Sequence, residues 1–546
     1  MKKIIFLFFF SLLIVGLGQP QTSQVLSLLS SGLGFGLFWV TLFRVKKRFL
    51  YSVLWFSCVQ LIQLSWLAST TYQGFYILGV YVALAFCLGL QFGVLSLFFP
   101  KNPPLAFTRC LGIAGAWTLI EWSRLYVLCG FAWNPIGLSH TAYASGSQIA
   151  SICGILGLSF LVVFVNLLAV NAFFIRDKKT ICIWGGFLLF PYVFGWAHLH
   201  YHDCQRSDSS SPLNVVLIQT ALLPDQKMYF HERREQFISP YEQWENILLS
   251  LEVHRSQGVD LIVLPESALP FSAYTPVYAY EEVKRITERV WGDIDLSSLL
   301  ITPFMEMREG RCYVNNAFWS QVIANQYGAE FVIGLDDSDE ECHYNAAFHF
   351  VPHDLKISRY EKRILLPLAE YLPFKFLQPL VACYGIQDFF THGKEAKVIE
   401  GKYPLSLSIC YEECFSHLIR EGRQRGAKLL VNVTNDAWYP FSTLPKQHFD
   451  HGRIRAIENG VPLLRACNTG ITAGVDSLGR TVGRFGTDRE NFELERGALF
   501  LSLDLYTFPT LYTAWGDRFI LVFSIVCLAF LAKKRENPLA ENKISD

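Results

Sequence analysis

Residues 405–413 read LSLSICYEE, an apolar run that ends on a cysteine and continues into a tyrosine and two glutamates. Three similar runs surround it: LNVVLIQ at 213–219, DLIVLPES at 260–267 and AKLLVNVTND at 427–436. Short apolar runs of this kind predict buried strands, and the stretch 228–256 between the first two has helical character. Strands alternating with helices predict an α/β sheet whose strands are buried on both faces.

Polar residues follow these runs at the points where the strands should end. In such sheets the chemistry lies at the carboxyl ends of the strands. The residues at these positions are Glu266, Cys410, Tyr411, Glu412, Glu413, Asn435, Asp436 and Trp438. A further candidate, Lys362, lies in the segment RYEKRILLPLAEYLP, with Glu370 eight residues later. These side chains are the candidate site.

The residue types in this set permit nucleophilic catalysis by a thiolate. Cys410 is expected to begin a helix over 411–424, whose dipole would lower the pKa of the thiol. Glu266 would take the thiol proton and return it to the leaving group. Lys362 would stabilise the oxyanion of a tetrahedral intermediate, where a fixed positive charge is most effective.

Charge is distributed unevenly along the chain. Hydrophobic residues make up 51% of the 546 residues and charged residues 17%, whereas soluble proteins carry about 25% charged residues. The deficit lies in residues 1–200, while 205–510 has the composition of a globular domain. Net charge is zero, so nothing indicates nucleic-acid binding, which would leave a basic stripe.

Eight apolar segments are candidate membrane spans, since a spanning helix needs about 20 residues. They are 3–18, 26–43, 49–68, 75–99, 105–128, 148–174, 181–198 and 518–532. Lys and Arg fall in alternate loops, such as Arg44–Arg48 and Arg176–Lys179, whereas 19–25, 69–74 and 129–147 have none.

By the positive-inside rule both termini are cytoplasmic. The predicted organisation is a membrane domain of seven helices (1–200), an outer catalytic domain (205–510), an eighth helix (518–532) and a cytoplasmic tail (533–546).

Two polar features interrupt the membrane segment. Glu121 and Arg124 lie three residues apart on one side of the fifth span, where charged residues usually pair or face a cavity. The loop GFAWNPIGLSH, residues 130–140, holds Phe131 and Trp133 near the outer interface. An aromatic belt and a wall of a lipid-binding cleft are both open interpretations of this loop.

The order Glu266, Lys362, Cys410 resembles the Glu-Lys-Cys triad of the carbon-nitrogen hydrolase (nitrilase) superfamily. Further segments narrow the resemblance to the apolipoprotein N-acyltransferase family. They are PES at 265–267, YNA at 344–346, YEKRILLPLAEYLP at 360–373, ICYE at 409–412, NDAWY at 435–439, QH at 447–448, the run 453–472, and GFAWN in the membrane segment.

This resemblance implies a multi-pass α-helical membrane bundle carrying an α/β nitrilase-like domain, an α-β-β-α sandwich. It also implies transfer of an acyl chain from a phospholipid, through a cysteine thioester, to the N-terminal amine of a diacylated lipoprotein. The expected location is the bacterial inner membrane with the catalytic domain in the periplasm. Glu370 and Glu412 would position Lys362 and the substrate, and Tyr411 would flank the nucleophile. No cofactor is expected.

The sequence departs from the family pattern at Met228, Ala346, Ala369 and Pro440. Because of these differences, the resemblance does not predict the loop conformation or the acyl-chain preference. Three alternative interpretations remain open. A membrane-tethered amidase acting on a small amide would need only one anchor, and a transporter or structural membrane protein would not need the ordered triad. A zinc site at Cys410, Cys414 and His417 lacks a clear fourth ligand.

Overall fold

The computed structural model describes residues 2–20, 22–206, 212–229, 231–338, 342–374, 376, 378, 389–486 and 492–532. The predicted cytoplasmic tail, 533–546, lies outside the described residues.

Long apolar helices in the N-terminal part coincide with the seven predicted spans. They are α1 Lys2–Gly16, α2 Gln24–Leu42, α3 Arg48–Gln63, α4 Tyr76–Leu95, α5 Phe107–Ser123, α6 Ala150–Ile175 and α7 Lys178–Gln205. By length and composition α2, α4, α6 and α7 can cross a membrane. Because α1, α3 and α5 have 15 to 17 residues, the arrangement of seven spans stays a prediction.

Two six-stranded sheets and a small three-stranded one follow in the described part of the chain. The sheets have the orders β15-β1-β2-β6-β7-β8 and β14-β13-β12-β11-β10-β9, and the small one is β3-β5-β4. The strands are β1 Leu213–Gln219, β2 Leu261–Val263, β3 Tyr278–Ala279, β4 Met305–Arg308, β5 Arg311–Val314, β6 Glu330–Ser338, β7 His343–Phe350, β8 Ser358–Glu361, β9 Val398–Ile399, β10 Leu405–Ile409, β11 Leu429–Thr434, β12 Leu463–Cys467, β13 Ala473–Val475, β14 Thr481–Arg484 and β15 Gly497–Leu503.

The four predicted strands are β1, β2, β10 and β11, and they divide between two sheets instead of sharing one. Strands β1, β2 and β6 run parallel at the centre of the first sheet, and β10, β11 and β12 do so in the second. Antiparallel strands flank both centres. The carboxyl ends of the central strands therefore bring their following loops to one edge of each sheet.

Helices complete a four-layered sandwich. They are α8 Pro240–Glu252, α9 Tyr280–Trp291, α10 Asn316–Tyr327, α11 Ser416–Gln424 and α12 Leu444–Asn459, and a final apolar helix is α13 Arg518–Ala532. Alternation along β1 divides its side chains between two cores. Val215 and Leu217 pack against Leu407 of the opposite sheet, while Val216 and Ile218 pack in the core that holds α8 to α10. The predicted α-β-β-α sandwich is confirmed.

Glycines let two pairs of membrane helices approach closely. A Cβ atom at Gly115 of α5 would lie 2.6 Å from the carbonyl oxygen of Ser524 in α13, and one at Gly89 of α4 would lie 2.7 Å from that of Val53 in α3. Small residues at such crossings allow tight packing where water gives no hydrophobic driving force. Helix α13 is thereby held closely against α5.

One apolar core is shared by the membrane helices and the helical layer that covers the second sheet. Trp133 and Leu156 from the membrane side belong to the same buried cluster as Phe415 and Phe449 of the catalytic side. A polar contact crosses the same boundary, because Glu458 of α12 accepts a hydrogen bond from the Ile155 amide at 2.8 Å. The second sheet is therefore mounted directly on the membrane bundle.

Candidate active site

Cys410 is the first residue after β10 and has a backbone φ of +52°. This left-handed conformation is uncommon for a residue with a side chain and occurs where the surroundings enforce it. The predicted helix over 411–424 is confirmed only in its later part: a 3₁₀ turn covers Cys410–Cys414, and the α-helix runs from Ser416 to Gln424. Cys410 therefore does not lie at the first turn of the α-helix.

Glu266 lies three residues beyond β2, with only 6% of its surface exposed. The adjoining strand β6 passes so close that a Cβ atom at Gly334 would lie 2.7 Å from the carbonyl oxygen of Pro265. Glycine at this point lets β6 fix the backbone that presents the carboxylate. Its Oε1 atom accepts hydrogen bonds from Asn345 Nδ2 at 2.8 Å and Lys362 Nζ at 3.1 Å.

Lys362 follows β8 and is almost wholly buried between two carboxylates. Its Nζ atom donates to Glu370 Oε1 at 2.7 Å as well as to Glu266. Asn345 of β7 joins the same group, since its Nδ2 atom also donates to Glu370 Oε1 at 3.1 Å. The structure therefore brings Glu266, Lys362 and Glu370 together, and adds an amide that sequence analysis named without a role.

The Cys410 thiol and this group influence each other's pKa values. Burial acts to lower the pKa of Lys362, but Glu266, Glu370 and Cys410 hold that pKa well above its usual value. Burial, and then the charge of Glu266, raise the pKa of the Cys410 thiol, whereas Lys362 acts to lower it. The resting thiol is thus protonated beside a carboxylate that can receive the proton and a permanent ammonium.

Glu412 connects the turn of the nucleophile to the loop of the lysine. Its Oε2 atom accepts from the Ile409 amide and the Tyr360 hydroxyl, both at 2.9 Å. Its Oε1 atom accepts from the amides of Arg363 at 2.6 Å and Ile364 at 3.2 Å. A fully buried carboxylate with four donors therefore ties the segment of Cys410 to the segment of Lys362.

Tyr411 anchors the nucleophile's turn on the membrane loop 130–140. Its hydroxyl donates to the Gly130 carbonyl at 3.1 Å and accepts from the Ala132 amide at 3.3 Å. The ring of Trp133 stacks against it at 6.1 Å, and Trp133 Nε1 donates to Gln447 Oε1 at 2.8 Å. Loop 130–140 therefore forms part of the wall around the site, which favours the cleft interpretation over an aromatic belt.

Asn435 and Trp438 are the remaining two predicted residues. Asn435 contributes a backbone hydrogen bond that lowers the pKa of Cys410, while its side chain accepts from Asn468 Nδ2 at 2.9 Å. Trp438 is 38% exposed, and its ring meets that of Tyr72 from the membrane domain edge-on at 6.4 Å. The structure therefore brings Asn435 to the nucleophile through its backbone, whereas the contact it gives Trp438 is with the membrane domain.

Two buried ionisable residues to which sequence analysis gave no role lie near the site. Burial lowers the pKa of Lys227 to about 8, against the charges of Asp336 and Glu266. The ring of His448, on α12, lies close to Cys410: its Nε2 atom is 3.2 Å from the Cys410 carbonyl oxygen. The QH pair at 447–448 draws attention to His448 in the sequence. Its contact with Cys410 could not be predicted, because the two residues are 38 positions apart.

Cys410, Asp436 and His448 have ligand-type atoms within 4.8 Å of one another, whereas Cys414 and His417 do not join such a group in the described residues. Both ring nitrogens of His448 already have partners, Asp436 Oδ1 and the Cys410 carbonyl. We therefore interpret this trio as a hydrogen-bonded network rather than as metal ligands.

Comparison with known proteins agrees with the fold and the membrane segment. The model of the carbon-nitrogen hydrolase family matches residues 235–492, and that of the apolipoprotein N-acyltransferase N-terminal domain matches residues 11–168. A solved mutant of the Nesterenkonia AN1 amidase from the nitrilase superfamily is 18% identical, with a TM-score of 0.35, over 56% of this chain and 96% of that one.

Curated relatives match over nearly the whole chain. The apolipoprotein N-acyltransferase of Chlamydia caviae is 32% identical over 97% of this chain and 99% of that protein. The one of Chlamydia pneumoniae is 30% identical over 96% of both. These relatives favour acyl transfer over the amidase alternative. The resemblance found in the sequence is confirmed: the chain is an acyltransferase and belongs to the apolipoprotein N-acyltransferase family.

Proposed function

We propose that this chain acylates the N-terminal amine of diacylated apolipoproteins in two half-reactions that share a thioester on Cys410. The observation that supports it most is the buried Lys362 ammonium, which bridges Glu266 and Glu370 beside the thiol. This arrangement supplies a base, a cation and a nucleophile within one enclosed group. The donor is a membrane phospholipid.

In the first half-reaction the Cys410 thiol attacks the ester carbonyl of the phospholipid. Glu266 takes the thiol proton as the carbon–sulfur bond forms, and Lys362 stabilises the negative charge that develops on the carbonyl oxygen. The carbon–oxygen bond then breaks, and Glu266 returns the proton to the leaving lysophospholipid. Among the described residues the hydrogen bonds of Glu266 all use Oε1, so Oε2 is available for the proton.

In the second half-reaction the free amine of the lipoprotein attacks the thioester carbonyl. Glu266 accepts a proton from the attacking nitrogen, the carbon–sulfur bond breaks, and the thiolate of Cys410 is protonated again. Because the lysophospholipid leaves before the amine reacts, the kinetics are ping-pong. Asn345 and Glu370 hold Lys362 and Glu266 in place through both steps.

The membrane arrangement that fits this reaction has both termini in the cytoplasm and the sheet domain outside. The contacts of Tyr411 with Gly130 and Ala132 support it, because they set the nucleophile beside a membrane loop that has no Lys or Arg. A lipid ester at the outer interface would lie near Cys410, whereas a small soluble amide would not require that position.

Intact-mass measurement of the full chain in phospholipid micelles tests the proposal. We expect wild-type protein to gain the mass of one acyl chain and to release lysophospholipid, and Cys410→Ala to do neither. Cys414→Ala is the matched control, because this buried thiol belongs to the same turn and should leave acylation intact. Acyl transfer to a lipopeptide amine by Cys410→Ala would contradict the thioester.

A further inference from the structure

His448 lies on α12 with both ring nitrogens facing hydrogen-bond acceptors. Nδ1 is 2.9 Å from Asp436 Oδ1, and Nε2 is 3.2 Å from the carbonyl oxygen of Cys410. A carboxylate and a backbone carbonyl have no proton to donate, and a neutral imidazole carries only one N–H. Both contacts can be hydrogen bonds at once only if the ring is doubly protonated.

The charges around the ring favour the same state. Burial alone would raise the pKa of Asp436, but His448 and Arg465 hold that pKa below its usual value, so the carboxyl accepts rather than donates. Glu413 Oε2 lies 3.6 Å from His448 Nε2, and Arg465 contacts Glu413 at 3.0 Å and Asp436 at 3.5 Å. Two carboxylates and one guanidinium leave one negative charge, which an imidazolium balances; buried charges require such balance.

The neighbouring histidine on the same helix is equally buried but has different partners. His451 lies three residues on, equally buried, with its ring 5.4 Å from that of Trp133. Burial and nearby cations lower its pKa well below the usual value, and neither ring nitrogen has a hydrogen-bond partner in the described part of the chain. The membrane side faces His448 with the uncharged Trp133 ring, 5.2 Å away.

The imidazole is also close to the reacting atom. A ring nitrogen of His448, a carboxylate oxygen of Asp436 and the Cys410 Sγ lie within 4.8 Å of one another. The Cys410 carbonyl, which accepts from His448, belongs to the residue with the left-handed backbone. Asn432 Nδ2 adds a second, longer bond to that carbonyl, at 3.4 Å.

We propose that His448 is a positioning residue for acyl transfer, an imidazolium that holds the Cys410 carbonyl in its turn and neutralises Asp436 next to the thiolate. The inference rests on the proposed role of Cys410 as nucleophile. His448 takes no part in proton transfer, because both of its ring protons are hydrogen-bonded, one to Asp436 and one to the Cys410 carbonyl. The effect on the reaction passes through the orientation of Cys410 and the stability of its thiolate.

The pH dependence of Cys410 alkylation tests this. Full-length protein in micelles is treated with iodoacetamide over a range of pH, and the Cys410 peptide is quantified by mass spectrometry. His448→Gln can still donate to the carbonyl but carries no charge, so the two carboxylates Asp436 and Glu413 are left with Arg465 as their one cation and Asp436 acts more strongly on the thiolate. We expect the alkylation midpoint to move to higher pH by about one unit, which is about tenfold slower alkylation below the midpoint. An unchanged midpoint overturns the proposal.

Two comparisons separate this charge effect from packing. His451→Gln alters a buried histidine on the same helix and should leave the midpoint where it is; an equal shift overturns the proposal. The double variant His448→Gln/Asp436→Asn removes both charges and should bring the midpoint back toward the wild-type value. A double variant as shifted as the single one also overturns it.

A spectroscopic measurement keeps the proposal testable if His448→Gln does not fold. Nitrogen-15 NMR of histidine-labelled wild-type protein at pH 8 should show a ring with both nitrogens protonated, and the double variant should lack that signal. Its absence from wild type would refute the imidazolium. Because alkylation needs no lipid, these results leave the role of Cys410 untouched, whereas acyl transfer by Cys410→Ala would remove it.

Discussion

Replacing Glu412 by Gln should disable acylation without removing any group that touches the substrate. Each carboxylate oxygen of Glu412 accepts two hydrogen bonds, and an amide can offer only one accepting atom. The least costly orientation keeps the oxygen toward the Arg363 and Ile364 amides. The new NH₂ group then faces the Tyr360 hydroxyl, which can reverse to accept, and the Ile409 amide, which cannot.

The expected magnitude follows from this geometry. One charge-assisted hydrogen bond, worth about 1.5–3 kcal/mol, is lost, and the buried amide of Ile409 is left facing another donor. Ile409 directly precedes Cys410, and the segment with Tyr360 and Arg363 carries Lys362. A displacement of about 1 Å between nucleophile and cation costs on the order of 10² in rate, so we expect about that loss in the acylation step.

Single-turnover release of lysophospholipid measures the rate, and thermal melting in detergent measures the stability. Glu421→Gln is the matched control, because Glu421 also contacts the Arg363 side chain, at 2.7 Å, but is 42% exposed. Exposed ion pairs contribute at most about 1 kcal/mol, so its rate should stay within about twofold. Near-normal acylation by Glu412→Gln, or an equal loss in Glu421→Gln, would refute the positioning role.

Lys362→Met removes the cation assigned to the oxyanion and should lower the acylation rate by a factor of about 10²–10³. The melting temperature should fall too, because Glu266 and Glu370 lose the ammonium that they share. Lys362→Met/Glu370→Gln should recover the melting temperature but not the rate, and recovery of both would show that Lys362 is structural. Fusions of a reporter that is active only in the cytoplasm test the topology. A fusion at position 210 should be silent and one at position 540 active, and the opposite result would contradict the proposed orientation.

The strand-end residues show how far sequence alone could go. Runs such as LIVLP and LSLSI are apolar because they are buried on both faces, so their ends could be recognised before any contact was known. Glu266 and Cys410 follow from that rule. Lys362 does not end a predicted strand. The family resemblance is what identifies it as a candidate.

Other features depend on contacts between distant residues. The segment after Cys410 has helical spacing, but the Glu412 side chain turns back to the Ile409 amide, and such local bonding competes with an α-helix. The partnership of His448 with Cys410 spans 38 residues and follows only from the folded arrangement of α12. Likewise, two strands of identical pattern give no indication of whether they share a sheet.

The apolar core shared by the bundle and the sandwich means that the catalytic domain is not a detachable module. A fragment containing only the sheets and their helices would expose Tyr411, Phe415, Leu418, Leu444 and Phe449, which are now covered within that core. A contiguous apolar surface of this kind leads to aggregation in water. The same residues set the nucleophile's turn against loop 130–140, so a fragment kept soluble by surface redesign would lose the wall of its own active site. Substitutions in the membrane helices and in the sandwich must therefore be compatible with each other where the two parts meet, and the activity depends on the whole chain.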